Sequence, residues 1–399
     1  MKKNLLILLC LLLCACSSTA DKPIVMMNSP VPQGNIAASE TERGYSPLNY
    51  DTVKAVWISC IELAPMLSAG GEAFSAQFEG ICRKSSEIGF NTLFVHIRAF
   101  SDAYYPSELY PPTKFFGSET FDALEIMTEA AHSYDLSFHA WINPLRCETP
   151  EVMETISDRY PVGKWYKQSP ERVSYVSETK HCWLDPACPE VRELIAEGAA
   201  EIVRNYDVDG IHIDDYFYPT TDAAFDESSY AEFGSGRDRT EWRTENCSLL
   251  VSGIYKAVKR EDPRVLFGIA PQGNLENNYM FLCADVKRWC TEEGFCDYIC
   301  PQLYFGYKNR VKPFAETLDV WRELCAGKKK LLIGIGAYKT ASEDEFIRRE
   351  GIIADQISDA LSGTDGAVVF SYNSLFGSVR ADTERELISA ELHKNEKLR

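Results

Sequence analysis

Two adjacent carboxylates, Asp214 and Asp215, stand at the end of a short apolar run in the sequence GIHIDDYFYP, which covers residues 210–219. Neighbouring carboxylates at a strand end repel each other and lose hydration, which is costly unless cations, hydrogen-bond donors or substrate hydroxyls offset it. Two carboxyl groups in different protonation states can divide the work of an acid and a base. The pair is therefore the first candidate for catalysis. The ordinary alternative is a helix cap or a loop turn.

Polar and aromatic residues recur at the ends of three further apolar runs. Side chains alternate between the two faces of a strand, so residues two apart share a face. Three runs each have polar or aromatic residues that we expect to face inward, which are His96 and Arg98, then His139, Trp141 and Asn143, then His212 and Asp214. Gln302 and Tyr304 share one face of a later run, at residues 298–305. A core selected for stability alone would have Val, Ile and Leu at such positions. Their convergence predicts a functional cleft.

The elements that would position these groups are eight short apolar runs alternating with amphipathic segments. The predicted strands cover residues 54–60, 92–100, 137–145, 210–216, 265–271, 298–305, 331–337 and 366–373. Helical spacing of apolar residues predicts helices over 74–88, 121–134, 189–206, 247–259, 314–324 and 346–361. Eight strand-then-helix units match a closed (β/α)8 TIM barrel better than an open sheet. The connection over 147–184 shows no clear helix and is expected to help build the substrate cleft.

The first residues are typical of a targeting signal. Lys2 and Lys3 precede an apolar run that is too short to span a bilayer, and LCAC at residues 13–16 resembles the acceptor pattern of bacterial lipoprotein signals. We therefore expect a signal over residues 1–16 with Cys16 acylated, a flexible tether over 17–50, and one barrel domain over 51–399. Such a chain is a lipoprotein held at a membrane surface outside the cytoplasm. The alternative is an ordinary cleaved secretory signal.

Composition limits the partners of the chain. It carries 59 acidic against 41 basic residues, a formal charge of −18, which argues against binding that depends on neutralising phosphates and so against nucleic acid. No glycine-rich dinucleotide motif follows the first predicted strand, and no cofactor is expected. We expect a monomer. Cys182 and Cys188 flank a loop and are candidates for a disulfide.

Several motifs, in order along the chain, carry a specific resemblance. They are Arg98 with DAYYPS at 102–107, HAWINP at 139–144, GIHIDDYFYP at 210–219, Trp242 and Arg243 followed by Asn246, FGIAP at 267–271, and DYI with PQLY between 297 and 304. Together they resemble the glycoside-hydrolase-like family 10 of bacterial proteins over about residues 52–375. The sequence departs from the family pattern at QGNLEN, residues 272–277.

The resemblance implies a (β/α)8 glycosidase barrel that is commonly exported and often lipid-anchored. The implied substrate is a bacterial envelope polysaccharide, particularly peptidoglycan glycan strands. Glycoside hydrolysis generally uses one protonated and one ionised carboxyl group on opposite sides of the scissile bond. Asp214 is the expected ionised partner. The acid is left open between Asp215 and Asp102, both ranked above Glu276, and an N-acetyl sugar could instead supply its own amide as the nucleophile.

The remaining polar and aromatic residues are expected to bind the sugar. The aromatic ones would stack on sugar faces, and the amide side chains would contact hydroxyls. Arg98 or His212 could also keep Asp214 ionised by proximity. The expected substrate-binding residues are Arg98, His139, Trp141, Asn143, His212, Tyr216, Trp242, Gln302 and Tyr304, with Tyr218 as a further stacking candidate.

Two other classes of function fit the same barrel. His96, His139 and His212 come from three successive strands and, with Asp214 or Asp215, could hold the metal ion of a metal-dependent hydrolase. We expect no metal, because the first strand lacks a His-x-His pair. The other class is a glycan-binding lipoprotein that kept the barrel and lost turnover. Replacing Asp214 by Asn separates this class from an enzyme, since a binder forms no product before or after the change.

Overall fold

A computed structural model describes residues 45–377 and 381–394. The predicted signal, the acylation site Cys16 and most of the predicted tether lie outside the described residues. The end of that tether, residues 45–50, lies against the barrel, where the side chains of Tyr45, Asn49 and Tyr50 form hydrogen bonds with it. Within the described ranges, no helix is both long enough and apolar enough to cross a membrane.

Eight parallel strands form a closed barrel. In chain order the strands are β1 (Val53–Ile58), β2 (Thr92–Arg98), β3 (Ser137–Ile142), β4 (Val173–Val176), β5 (His181–Leu184), β6 (Gly210–Ile213), β7 (Leu266–Ile269), β8 (Tyr298–Ile299), β9 (Lys330–Gly336) and β10 (Gly366–Phe370). β4 and β5 form a separate antiparallel hairpin, and the ring closes where β1 pairs with β10. Both faces of a barrel strand are covered, which explains the nearly continuous apolar runs. The predicted (β/α)8 TIM barrel is confirmed.

Helices surround the barrel and fill the loops at its carboxyl end. They are α1 (Cys60–Leu67), α2 (Gly71–Ile88), α3 (Ala123–His132), α4 (Pro150–Met153), α5 (Pro161–Gln168), α6 (Pro189–Asn205), α7 (Glu227–Phe233), α8 (Arg239–Glu261), α9 (Leu275–Leu282), α10 (Val286–Thr291), α11 (Phe314–Cys325), α12 (Asp344–Arg348), α13 (Ile352–Leu361), α14 (Tyr372–Phe376) and α15 (Ala381–Lys394). Each predicted helix overlaps an observed one. The helix predicted over 346–361 is interrupted because Gly351 adopts a left-handed φ of 78°.

Several strands end earlier than predicted. β6 stops at Ile213 rather than at residue 216, and β8 is only two residues long. Beyond β8, Gln302 keeps isolated bridges to Gln272 and Gly334. The regular ladder therefore stops where the polar residues of the predicted cleft begin.

Aromatic side chains and two histidines fill the barrel below the cleft. The Trp57 indole N–H donates to His212 Nε2 (3.2 Å), so Nδ1 carries the proton of a neutral His212. His212 Nδ1 donates to the Tyr298 hydroxyl (3.0 Å), and that hydroxyl donates to His139 Nδ1 (2.9 Å). A Cβ at Gly268 would lie 1.9 Å from the Tyr298 ring, so this position requires glycine. The result is one continuous hydrogen-bonded column inside the barrel.

The long connection between β3 and α6 is ordered, although the sequence predicts no clear helix there. It contains α4, α5 and the β4–β5 hairpin, and both helices begin with a proline, whose missing N–H costs nothing at that position. β5 is bonded to the loop after β3, because Leu184 N donates to the Leu145 carbonyl (2.8 Å) and Cys147 N to the Cys182 carbonyl (2.9 Å). Cys182 and Cys188 are buried free thiols, so the suggested disulfide between them is wrong.

The amino-terminal end of the barrel is closed around Asp209, a fully buried residue just before β6. Its carboxylate accepts hydrogen bonds from the backbone N–H groups of Leu48 (2.5 Å) and Phe138 (2.6 Å) and from the Tyr45 hydroxyl. His132 Nε2 lies 3.0 Å from the same carboxylate. One buried anion thus ties the incoming chain to the strands of the barrel.

Replacing Asp209 by Asn should destabilise the fold. The amide would turn N–H groups toward donors that now face a carboxylate, and each buried donor left without an acceptor costs about 1–3 kcal/mol. We expect the free energy of unfolding, measured by urea titration, to fall by about 2 kcal/mol or more. Asp207→Asn is the matched control, because Asp207 is exposed two residues away, and it should change stability by less than about 0.5 kcal/mol. Equal stability of the two variants would contradict this role.

Candidate active site

The carboxyl pair follows β6 directly. Asp214 is 5% exposed, and its Oδ1 has no hydrogen-bond partner among the described residues. Asp215 points toward the next two strands, where its Oδ1 accepts from Gln302 Nε2 (3.1 Å) and its Oδ2 accepts from Gln272 Nε2 (3.0 Å). One carboxyl group therefore keeps an unpartnered oxygen, whereas amide groups hold both oxygens of the other.

Electrostatics separates the two groups further. Burial raises the pKa of Asp214 well above its ordinary value, and the adjacent Asp215 charge raises it more, while Arg146 opposes the shift. Burial also raises the pKa of Asp215, but the hydrogen bonds from Gln272 and Gln302 favour its ionised form. The environment of Asp214 therefore favours the protonated form more strongly than the environment of Asp215 does. The sequence alone predicts Asp214 as the ionised partner, because the depth of burial is not visible there.

Arg146 is the cation of the site, and sequence reasoning missed it. Its Nε donates to the Ala99 carbonyl (3.2 Å), and its guanidinium lies 4.4 Å from the ring centroid of Phe100 and 4.1 Å from that of Tyr216. Its charge lowers the pKa of both Asp214 and Asp215 against the effect of burial. The available signal was its position directly after the predicted third strand, at the end where catalytic groups gather.

Gln302 and Gln272 hold Asp215 from two neighbouring strand ends. The sequence predicts a substrate hydroxyl contact for Gln302, but its Nε2 donates to Asp215 and to the Ala270 carbonyl (2.9 Å). Gln272 is fixed by Asn278, whose Oδ1 accepts from the Gln272 backbone N–H (3.0 Å). It lies in the segment that departs from the family pattern, so the motif comparison does not single it out.

Trp141 and Asn143 line the same end of the barrel beside His96. The Trp141 and His96 rings stack with their centroids 3.3 Å apart, and Asn143 Nδ2 donates to the Ala99 carbonyl (3.1 Å). The Trp141 indole N–H is buried without a hydrogen-bond partner in the described part of the chain, whereas the Asn143 and His96 side chains interact with each other. Buried polar atoms are normally paired. With Asp214 Oδ1, this indole N–H marks the place where a polar ligand would complete the hydrogen bonding.

Tyr304 borders the carboxyl pair on another side. Its ring lies 5.9 Å from that of Phe370 and 5.8 Å from that of Tyr338. Burial raises the pKa of Tyr304 well above its ordinary value, and the charges of Asp215 and Asp214 add to the shift. Tyr304 therefore lies near the carboxyl pair, as the sequence predicts. Its phenol stays protonated at neutral pH because its pKa is raised.

His139 and His212 lie in the barrel core rather than in the cleft. Both are at most 2% exposed, and their ring nitrogens bind Tyr298 and Trp57 as described above. Burial lowers the pKa of His139 to about 4 and that of His212 well below its ordinary value, so both rings are neutral at pH 7. The prediction that they bind sugar is wrong, because both rings are buried within the barrel core.

Arg98 also departs from its predicted position. The strand is irregular between His96 and Arg98, which breaks the expected alternation and turns the Arg98 side chain out of the barrel. Its guanidinium donates to the Tyr105 hydroxyl (2.6 Å) and the Gly198 carbonyl (3.0 Å), and it lies 3.7 Å from the ring centroid of Tyr110. Its predicted roles in binding sugar and in keeping Asp214 ionised are therefore wrong.

Trp242 and Tyr218 are covered by protein. Trp242 is 1% exposed in the first turn of α8, with its ring in edge contact with Tyr230 at 5.1 Å. Tyr218 is fully buried, with the Arg243 guanidinium 5.0 Å from its ring centroid. Neither ring can stack on a sugar, so those two predictions are wrong. The motif that contains Trp242 supports the fold.

The other candidate acids are less suited than the pair. Asp102 uses Oδ1 to accept from the backbone N–H groups of Ala99 (3.0 Å) and Phe100 (2.9 Å), which fixes the turn after β2. Glu276 lies on α9, where Lys312 binds it at 2.8 Å and lowers its pKa. An exposed, ion-paired carboxylate is a poor proton donor at neutral pH.

The three histidines do not form a metal site. His139 and His212 are joined through Tyr298, whereas His96 Nδ1 accepts from the Cys60 backbone N–H (3.1 Å). In the part of the chain that the structure describes, no group of three or more His, Cys, Asp or Glu side chains has the geometry to hold a metal ion. The arrangement therefore gives no support to the metal-dependent alternative.

Comparison with known proteins identifies the family of the chain. The model of the glycosyl hydrolase-like 10 family matches residues 52–347. The chain is 30% identical over 317 residues to glycosyl hydrolase YngK of Bacillus subtilis, covering 72% of this chain and 61% of that protein. It is 26% identical over 416 residues to glycosyl hydrolase DigH of Escherichia coli K12, covering 92% of this chain and 91% of that protein.

Solved structures share the fold at low sequence identity. The β-galactosidase of Rahnella sp. R3 gives a TM-score of 0.58 at 14% identity, covering 89% of this chain and 57% of that one. The PgaB (BpsB) glycoside hydrolase domain of Bordetella bronchiseptica gives a TM-score of 0.56 at 12% identity, covering 84% of this chain and 99% of that one. The predicted family and the glycoside hydrolase class are confirmed. The family match spans the carboxyl pair and every barrel strand except β10, and the chain therefore belongs to the glycosyl hydrolase-like 10 family.

Proposed function

We propose that the chain hydrolyses glycosidic bonds of a bacterial envelope polysaccharide, peptidoglycan glycan strands, with Asp214 and Asp215 as its catalytic carboxyl pair. The observation that carries this proposal is the unlike environment of these two groups at the end of β6. Family membership supports the reaction class, and the signal motif at residues 13–16 supports a substrate in the cell envelope.

Asp214 acts as the acid. Burial keeps its proton in place at neutral pH, and the proton passes to the glycosidic oxygen as the bond between that oxygen and the anomeric carbon breaks. Asp214 then becomes a buried anion. The charge of Arg146, which interacts with both members of the pair, stabilises that anion.

Asp215 acts in its ionised form. Gln272 and Gln302 hold its two oxygens, so the carboxylate has a fixed orientation. It attacks the anomeric carbon, activates a water molecule, or orients the acetamide of an N-acetyl sugar that itself attacks. Each route needs a fixed anion and a protonated acid that flank the scissile bond.

The polar atoms beside the pair would receive the sugar. The Trp141 indole N–H can donate to a sugar oxygen, and Asn143 Oδ1 can accept from a hydroxyl or an acetamide N–H. The contact to Trp141 would satisfy a donor that is buried without a partner in the described structure. Binding energy and catalysis then depend on the same small set of residues.

Asp214→Asn and Asp215→Asn should each lower kcat/KM on peptide-free peptidoglycan glycan strands by about 10²–10⁴-fold, since each removes one catalytic carboxyl group. Products are measured by mass spectrometry, with whole peptidoglycan and plant polysaccharides tested in parallel. Glu276→Gln is the matched control and should retain nearly full activity, because Glu276 is exposed and ion-paired outside the pair. An inactive wild-type chain on every glycan, or an equal loss in the control, would contradict the proposal.

The roles within the pair are separated by the leaving group. On an aryl glycoside whose leaving group needs no proton, Asp214→Asn should lose much less activity than it loses on glycan strands. Asp215→Asn should lose activity on both substrates. If Asp215→Asn instead kept its activity on the aryl glycoside and Asp214→Asn lost activity on both substrates, Asp215 would be the acid and Asp214 the ionised partner.

Gln302→Met should move the acidic limb of the kcat/KM pH profile to higher pH. The Gln302 hydrogen bond lowers the pKa of Asp215, so its loss raises that pKa, and a higher pH is then needed to ionise Asp215. Gln356→Met is the matched control, because Gln356 is fully buried and donates to the Phe305 carbonyl instead. An unchanged limb, or a shift to lower pH, would show that the amide does not tune Asp215.

The location of the enzyme is part of the proposal. We expect Cys16 to carry the acyl chains that hold the protein at a membrane, outside the cytoplasm. Cys16→Ala should transfer the protein from the membrane fraction to the soluble fraction and abolish palmitate labelling. Cys14→Ala is the control and should leave both unchanged. A Cys16→Ala protein that remains labelled and membrane-bound would refute lipidation at this residue.

A further inference from the structure

A groove lies beside the β4–β5 hairpin, at the carboxyl end of the barrel. It has a volume of about 410 Å³ and runs between the hairpin and the segment that follows β6, with Ser174 and Tyr175 on one wall and Thr220 and Asp222 on the other. The Tyr175 side chain is 55% exposed. An aromatic ring is thus presented to solvent on an ordered strand.

Both walls of the groove are fixed by buried contacts. Arg243 donates to the carbonyls of Thr220 (3.2 Å) and Asp222 (2.7 Å), and it binds both oxygens of the buried Asp226 at 2.6 Å. The hairpin wall is fixed by the backbone bonds between β5 and the loop after β3. A ligand entering a groove with fixed walls needs little ordering of the protein, which favours binding.

The same two segments join the groove to the catalytic pair. Thr220 follows Asp215 by five residues, so the two are at most about 18 Å apart along the chain. On the hairpin side, the Trp183 ring of β5 lies 5.9 Å from the ring of Tyr216, over which Arg146 sits. The groove and the carboxyl pair are therefore close enough for one polysaccharide strand to reach both.

The lining of the groove suits sugars better than anions. It includes one exposed aromatic ring, several hydroxyl groups and two carboxylates, and none of the described residues that line it is Lys, Arg or His. A phosphate or carboxylate ligand would meet the negative charge of Glu178 and Asp222, and the Arg243 guanidinium behind one wall is already paired with Asp226. A sugar hydroxyl or acetamide N–H could donate to the carboxylates of Glu178 and Asp222. The Ser174 and Ser177 hydroxyls offer acceptor oxygens, since their own protons bind the Phe225 carbonyl and Glu178. The hydroxyl and carboxylate residues are Ser174, Ser177, Thr220, Glu178 and Asp222.

We propose that this groove is a distal subsite that binds uncharged sugar units of the polysaccharide, with the Tyr175 ring stacked on one of them. The inference rests on the proposed function, since the bound sugar belongs to the same strand that reaches Asp214. It goes further by assigning a second region of contact, remote from the bond that is cleaved.

The test is titration calorimetry with the full-length chain carrying Asp214→Asn, which prevents turnover. The probe is chitohexaose, an uncharged N-acetylglucosamine oligomer. Tyr175→Ala should weaken its binding by about 3- to 10-fold, as expected for the loss of one stacking contact, and Tyr175→Phe should restore it. Tyr255→Ala is the matched control, because Tyr255 is a partly exposed tyrosine in α8 that lines a different surface.

The outcomes separate this inference from the proposed function. Weaker chitohexaose binding in Tyr175→Ala alone supports the subsite, even if the wild-type chain hydrolyses no glycan. Equal binding in Tyr175→Ala and Tyr255→Ala overturns the subsite, even if glycan strands are hydrolysed. Failure of chitohexaose to bind the chain that retains Tyr175 overturns it as well.

Discussion

The buried Asp214 and the half-buried Asp215 follow each other at the end of β6, where the charge of Arg146 acts on both carboxyl groups. Two adjacent ionised carboxylates repel each other, and one guanidinium carries only one positive charge, so this environment favours a pair that retains one proton. Gln272 and Gln302 favour negative charge on Asp215, because they hold both of its oxygens. Burial and hydrogen bonding thus favour the division into an acid and an ionised partner that we propose.

The barrel below the pair is polar but uncharged. The column of Trp57, His212, Tyr298 and His139 is satisfied by its own hydrogen bonds, and burial keeps both histidines neutral. Neither histidine therefore adds positive charge beneath the pair. The structural anion, Asp209, lies at the opposite end of the barrel, where it closes the floor. The fold thus separates the charge used for stability from the charge used for chemistry.

The fold was predictable because the alternation of apolar strands and amphipathic helices is a property of the sequence itself. The carboxyl pair was predictable from residue type and from its place at a strand end. The wrong and missing predictions concern residues whose side-chain position depends on local backbone geometry. A strand irregularity, which periodicity does not encode, turned Arg98 outward. Arg146 and Gln272 belong to loops, and their approach to the pair depends on contacts between distant segments.

The protonation state of the carboxyl pair can be measured directly. Carboxyl ¹³C chemical shifts of aspartate-labelled full-length protein can be followed across a pH titration. Burial raises the pKa of Asp185 to about 6, so more than one aspartate signal lies above the ordinary value near about 3.9. We predict that one of the raised signals disappears in Asp214→Asn and moves to still higher pH in Arg146→Met, because the Arg146 charge lowers the pKa of Asp214. A titration in which Asp214→Asn removes only a signal near the ordinary value, and in which Arg146→Met moves no signal, would contradict a protonated Asp214.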